Sequence, residues 1–101
     1  MKAKLFKIKE GKLEAWKEWC TKLSLTLKEE ALETLREENL LQEGCLFFSI
    51  GENSYVIGFV DGEALPSTDK PINTQNKEKI KECLEEMNSK VTPLYHLKTL
   101  N

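Results

Sequence analysis

No run of apolar residues in this chain approaches the roughly 20 that an α-helix needs to cross a bilayer. The opening segment, Met1 to Lys9, is interrupted by lysines, so it has no apolar core of the kind found in signal peptides. Neither sign of charge dominates, because 15 basic and 17 acidic residues are interspersed and leave a formal charge of −2. Such a surface gives little attraction for nucleic acid or anionic lipid. We therefore expect a cytoplasmic protein that binds neither nucleic acid nor membrane.

Motifs for metal and phosphate binding are also missing. The three cysteines are an odd number without a C-x-x-C pair, which argues against a disulfide framework and against a zinc site. No glycine-rich phosphate loop and no serine-centred elbow occurs. We therefore expect no metal and no other cofactor. Cys20, Cys45 and Cys83 have apolar neighbours, and the simplest interpretation is three buried, reduced thiols, with a reactive thiol as the alternative.

The chain does contain a regular change of hydrophobic period. In order, the segments are Lys2 to Ile8 (alternating), Lys12 to Asn39 (helical), Gln42 to Ile50 and Ser54 to Asp61 (alternating), Asn76 to Asn88 (helical) and Val91 to Leu100 (alternating). This β-α-β-β-α-β order is the split βαβ plan. It predicts an α+β, ferredoxin-like fold with a four-stranded antiparallel sheet, and residues 1–101 form a single domain.

The long helical segment is predicted to divide into two helices, at about 12–24 and 27–39. Thr26 and Glu29 have the spacing of a capping box, in which each side chain satisfies a free backbone N–H. Such a box marks the start of a helix, so the second helix is expected to begin beside it.

The two middle strands are apolar on both faces. Leu46, Phe48 and Ile50 alternate with Cys45 and Phe47, and Tyr55, Ile57 and Phe59 alternate with Val56 and Val60. An antiparallel sheet with one face in water alternates apolar with polar residues instead. Because the helices cover one face, something else must cover the other, and we expect a homodimer whose sheets pack face to face.

Several segments together form a distinctive pattern. They are Lys-Leu-Phe-Lys-Ile-Lys-Glu-Gly-Lys at 4–12, the helix with Trp16 and Trp19, Glu-Ala-Leu-Glu-Thr-Leu-Arg-Glu-Glu at 30–38, and Pro-Ile-Asn before a lysine-rich helix. In these segments the chain resembles an uncharacterised family of small bacterial proteins in the dimeric α+β barrel superfamily. The resemblance implies two protomers packed sheet against sheet. The wider group includes cofactor-free monooxygenases, isomerases and small-molecule binders, so the resemblance implies no single reaction.

The functional hypothesis is a small-molecule binder or cofactor-independent enzyme with a largely apolar pocket between sheet and helices. The predicted lining is Trp16, Glu43, Phe47, Tyr55 and His96. Glu43 is a candidate acid or hydrogen-bond acceptor, and His96, the only histidine, is a candidate general base. Each also has a structural interpretation: a solvated strand end for Glu43, a sheet edge for His96 and core packing for Trp16.

Two further features stay open at the level of sequence. Glu38 falls near the middle of an apolar helical stripe, and a carboxylate in the last turn of a helix is badly placed for the helix dipole. The alternative is that the core simply ends one turn before Glu38. The polar segment 62–75 is long for a connection in a compact domain. The alternative function is therefore a non-catalytic dimeric module that regulates or scaffolds through this segment.

Overall fold

The computed structural model describes residues 1–63, 65–97 and Thr99, which form three helices and a four-stranded antiparallel sheet. The elements are β1 (Lys2–Ile8), α1 (Leu13–Ser24), α2 (Lys28–Glu37), β2 (Leu40–Ile50), β3 (Asn53–Gly62), α3 (Pro71–Cys83) and β4 (Leu84–Glu86). The strands lie in the order β2-β3-β1-β4. The predicted α+β class and the antiparallel sheet are confirmed, and the arrangement is consistent with a ferredoxin-like fold. None of the described helices is long and apolar enough to span a membrane.

The first half of the chain follows the predicted elements closely. β1 has the predicted bounds, and the next two predicted strands appear as β2 and β3, which pair as an antiparallel hairpin. The long helical segment divides as predicted, but the capping box does not form, because α2 begins after Leu27 without a side-chain cap. Instead, the backbone N–H of Leu27 donates to the carbonyl oxygen of Lys22 over 2.8 Å. The turn between the two helices is therefore closed by the backbone.

The helix predicted at 76–88 begins and ends earlier in the chain, as α3. Pro71 occupies the first turn, where its fixed φ suits a helix and its missing N–H costs nothing. The helix ends at Cys83 because Leu84 has extended backbone angles (φ −121°, ψ 146°) and pairs with Ile8 of β1. Cys83 and Leu84 are both buried. Two such neighbours fit a continuing helix as well as a helix-to-strand junction, so the sequence does not mark where α3 ends.

The strand predicted from Val91 to Leu100 is wrong. The fourth strand is the shorter Leu84–Glu86, and among the described residues of the later segment only Val91 bridges to the sheet, opposite Ala3. Residues 92–97 are not part of a strand, and Lys98 and Leu100 lie outside the described residues. The alternation in this segment therefore does not reflect a place in the sheet.

The core lies where α1 and α3 meet the sheet. Its buried residues are Ile8, Trp16, Trp19, Val56, Cys83 and Leu84. Trp19 is only 4% exposed. Its indole N–H donates to the Oδ1 atom of Asn76 over 2.8 Å and so joins α1 to α3.

The opposite face of the sheet, here called the open face, is also apolar. It carries Leu5, Leu46, Phe48, Tyr55, Ile57 and Phe59 on β1, β2 and β3. The rings of Phe48 and Tyr55 stack with centroids 5.3 Å apart. None of these six side chains belongs to the core cluster, and Leu46 is 59% exposed. Leu46 is therefore an exposed apolar residue of this face, and the other five side chains are half-buried.

Alanine at Gly62 is expected to destabilise the fold by about 1–3 kcal/mol. Gly62 has φ +126°, and a Cβ atom there would lie 2.8 Å from the carbonyl oxygen of Asn39. Gly51 is the matched control, because its φ is also positive (+60°) but a Cβ atom there would meet no other atom within 4 Å. Urea unfolding of both alanine variants tests this, and equal losses of stability would show that the contact with Asn39 is unimportant.

Candidate functional site

A cavity of about 810 Å³ lies between the helices and the sheet. Its apolar walls include Phe6, Trp16, Leu23, Leu35, Val56 and Ile80. Gly58 of β3 helps to leave this space open, since a Cβ atom there would meet only the ring of Phe6, at 3.8 Å. The volume is in the range of sites for small organic ligands.

Charged side chains line the same cavity. They are Lys2, Lys4, Lys28, Glu38, Glu43 and Lys77. Glu43 is still reached by solvent, but the surrounding wall removes enough water to raise the pKa of its carboxyl group, and the negative charge of Glu38 adds to the effect. Burial also raises the pKa of Glu38, with a further contribution from Glu37 and an opposing one from Lys77. Both carboxyl groups therefore hold a proton more readily than a fully hydrated glutamate.

Two cysteine thiols meet in the wall of this cavity. Cys20 of α1 and Cys45 of β2 both line it and lie close enough to shift each other's pKa, although 25 positions separate them in the chain. Cys20 is half-buried and Cys45 is exposed, whereas Cys83 is fully buried. The interpretation of three buried thiols is therefore right for Cys83 and wrong for Cys45. The Cys45 thiol is exposed because Gly58, which pairs with Cys45 in the sheet, has no side chain to cover it.

The indole N–H of Trp16 is an unsatisfied donor beside these thiols. Trp16 is 7% exposed and lines the cavity, and its Nε1 atom has no hydrogen-bond partner among the described residues. The N–H of Trp16 also contributes to the lowered pKa of the Cys45 thiol, so the two groups are neighbours. A buried N–H without an acceptor costs about 1–3 kcal/mol. The site therefore contains a donor that an anion or an oxygen atom would satisfy.

The pKa of Cys45 is lowered to about 7. The largest cause is the neighbouring thiol of Cys20, and the N–H of Trp16 acts in the same direction, while burial and the carboxylate of Glu43 oppose them. The pKa of Cys20 is raised, first by its interaction with Cys45 and then by burial. Cys45 is therefore the thiol of the pair that ionises first as the pH rises.

The structure brings together two of the five predicted ligand residues, Trp16 and Glu43, which both line the cavity. Phe47 lies outside the lining, with the Nζ atom of Lys17 5.3 Å from the centre of its ring. Tyr55 is on the open face, and His96 is an exposed residue of the segment after β4. The role of these five residues in ligand binding stays a prediction.

The thiol pair was not predicted from the sequence, although each half of it left a signal. Cys20 follows Trp16 by four positions and so shares its helical face. Cys45 lies two positions from Glu43 and so shares its strand face. Only the packing of α1 on β2 shows that the two thiols meet.

Metal binding has no support in the described part of the chain. No group of three or more His, Cys, Asp or Glu side chains among these residues is arranged so that it could hold a metal ion.

Comparison with known proteins identifies a family but no activity. The model of DUF6176, described as a family of unknown function, matches residues 1–101, and the chain therefore belongs to this family. No curated protein and no solved structure matches the chain.

Proposed function

We propose that this member of DUF6176 binds a small, largely apolar molecule between its sheet and its helices, as a carrier or as a cofactor-independent enzyme. The observation that supports the proposal is the cavity of about 810 Å³, which combines apolar walls with a few charged side chains. This combination is typical of sites that hold small organic ligands.

Trp16 and Glu43 are the proposed ligand contacts, because both line the cavity. Trp16 offers a large apolar ring, and Glu43, with its raised pKa, offers a carboxyl group that donates or accepts a hydrogen bond according to pH. Phe47 shares the strand face of Glu43 by alternation and would contact a ligand that extends beyond the cavity. Tyr55 and His96 lie outside the cavity lining and take no part in this proposal within one protomer.

We further propose that two protomers pack open face against open face, as in dimeric α+β barrels. The support is the apolar character of that face on three strands, with Leu46 and Ile50 59% and 64% exposed. Two sheets packed about 10 Å apart bury such side chains against each other. A cytoplasmic location stays a prediction of the sequence.

A module acting through segment 62–75 finds less support. The structure shortens this connection, since α3 begins at Pro71. The connection also contacts α2 and the residue that follows it. The N–H of Leu65 donates to the carbonyl oxygen of Glu38 over 2.8 Å. The Nζ atom of Lys70 lies 3.0 Å from the carboxylates of Glu33 and Glu37. A tethered segment of this length offers little free chain to a partner.

Phenylalanine at Gly58 is expected to block ligand binding. The new ring has room in the cavity and occupies the space that a ligand needs, so the fold is retained. The probe is 1-anilinonaphthalene-8-sulfonate, whose fluorescence rises in apolar sites. The native protein is expected to bind it, and the affinity of Gly58→Phe is expected to fall by about tenfold or more, which corresponds to about 1.4 kcal/mol.

Ser54→Phe is the matched control, because Ser54 lies on the same face of β3 but outside the cavity lining. It adds the same ring at a place where no ligand is proposed, and its affinity for the dye is expected to match that of the native protein. If Gly58→Phe binds the dye as well as Ser54→Phe does, the dye occupies another surface and the proposed cavity site is wrong.

A further inference from the structure

Three groups at one point of the cavity wall have no role in binding an apolar ligand. Cys20 and Cys45 line the cavity as neighbours that shift each other's pKa, and the buried N–H of Trp16 in the same lining has no acceptor among the described residues. The two thiols come from different elements, α1 and β2, so their meeting is a product of the fold and not of sequence spacing. Cys45 is exposed, and a small molecule in the cavity reaches its sulfur.

We propose that Cys45 reduces organic hydroperoxides and that Cys20 resolves the oxidised product as a disulfide. The inference rests on the same cavity as the proposed ligand site, but it does not require that any ligand is retained there. The apolar walls select a hydroperoxide with an apolar body, and the N–H of Trp16 supplies a hydrogen bond to the reacting sulfur or to the oxygen it receives.

The first step forms one bond and breaks one. The thiolate sulfur of Cys45 attacks the terminal oxygen of the hydroperoxide, the O–O bond breaks, and the alkoxide takes up a proton to leave as an alcohol. Cys45 becomes a sulfenic acid, so the sulfur has lost the two electrons that the peroxide has gained. The new oxygen on Cys45 is an acceptor that the unpartnered N–H of Trp16 lacks in the reduced protein.

The second step joins the two cysteines. The sulfur of Cys20 attacks the sulfur of Cys45, the S–O bond breaks, and the hydroxide combines with the proton of Cys20 to leave as water. The two thiols are neighbours in the same cavity lining, which is the placement that a resolving cysteine needs. A small external dithiol reduces the disulfide by exchange and completes the cycle.

The test treats the reduced, full-length protein with cumene hydroperoxide and follows it by intact mass and peptide mapping. The native protein is expected to become lighter by two hydrogens, with a Cys20–Cys45 disulfide. Cys20→Ser is expected to stop at a sulfenic acid on Cys45, which dimedone traps, and Cys45→Ser is expected to form neither product. Unchanged oxidation of Cys45→Ser, or a native disulfide that involves Cys83 instead, would overturn the proposal.

A measurement on the native protein keeps the proposal testable if these variants fail to fold. The rate at which iodoacetamide labels Cys45 is expected to rise with pH around a midpoint near 7, below the ordinary thiol value of 9.0. The groups that face this thiol are Cys20 and Trp16 from α1 and Glu43 from β2, with Lys4, Lys28 and Lys77 in the same cavity lining. A midpoint near 9 would contradict a nucleophilic role.

Oxidation and dye binding are measured side by side to separate this proposal from the ligand site. Trp16→Phe keeps the ring but removes the N–H, and it is expected to slow oxidation of Cys45 by about tenfold. Gly58→Phe is expected to block cumene hydroperoxide and dye alike. A native protein that forms the Cys20–Cys45 disulfide but binds no dye would support the thiol chemistry and refute the ligand site. Dye binding with inert thiols would do the reverse.

Discussion

Lysine in place of Ile57 is expected to convert the proposed dimer into monomers while each protomer stays folded. Ile57 lies on the open face of β3, directly between Leu5 of β1 and Leu46 of β2. In a lone protomer the new ammonium group would remain in water and cost little. Between two packed sheets it would be buried without a counter-charge, at a cost of several kcal/mol. A loss of about 4 kcal/mol weakens association by about a thousandfold.

Sedimentation velocity over micromolar concentrations measures this effect, with circular dichroism to show that the fold is retained. Thr21→Lys is the control, because it adds the same charge at an exposed position of α1, far from the open face. It is expected to sediment as the native protein does. A native protein that is monomeric throughout, or an Ile57→Lys variant that still dimerises, would show that the open face is not the interface.

The strands of this fold were predictable where hydrophobic period alone defines them. β1 has the predicted bounds because Phe6 and Ile8 alternate with lysines and Leu5, and the turn residues after Ile50 mark the hairpin. The junction of α3 and β4 was not predictable in the same way. Leu84 continues the helical spacing of Ile80, and only its pairing with Ile8 makes it a strand residue. Pairing with a distant strand leaves no local pattern.

The site shows the same division. Trp16 and Glu43 were predicted because each stands out within its own element. Tyr55 was assigned to the cavity although it lies on the open face, because a strand that is apolar on both faces does not reveal which face meets the helices. The contact between Cys20 and Cys45 depends on how α1 is placed over β2. The hydrophobic period of a sequence shows which residues share one face of a helix or strand, but it does not show which faces pack against each other.

Alanine at Trp19 is expected to cause the largest loss of stability of any substitution discussed for this protein. Trp19 is 4% exposed in the core, so its removal leaves a cavity between α1 and α3 and leaves Asn76 without its donor. Tryptophan-to-alanine changes in cores cost about 3–5 kcal/mol. Domains of this size have a total stability of about 5–15 kcal/mol, so the variant is expected to be marginally folded or unfolded. Urea denaturation followed by circular dichroism measures the change.

Phenylalanine at the two tryptophans separates packing from hydrogen bonding, because both lie on α1 and both are buried. Each change removes the same indole N–H and about the same volume. Trp19→Phe breaks the 2.8 Å bond to Asn76, whereas Trp16→Phe removes a donor without a partner among the described residues. Trp19→Phe is therefore expected to lose about 1–2 kcal/mol more than Trp16→Phe. Equal losses would show that the bond to Asn76 contributes nothing, and a loss under about 1 kcal/mol for Trp19→Ala would contradict the proposed place of Trp19 in the core.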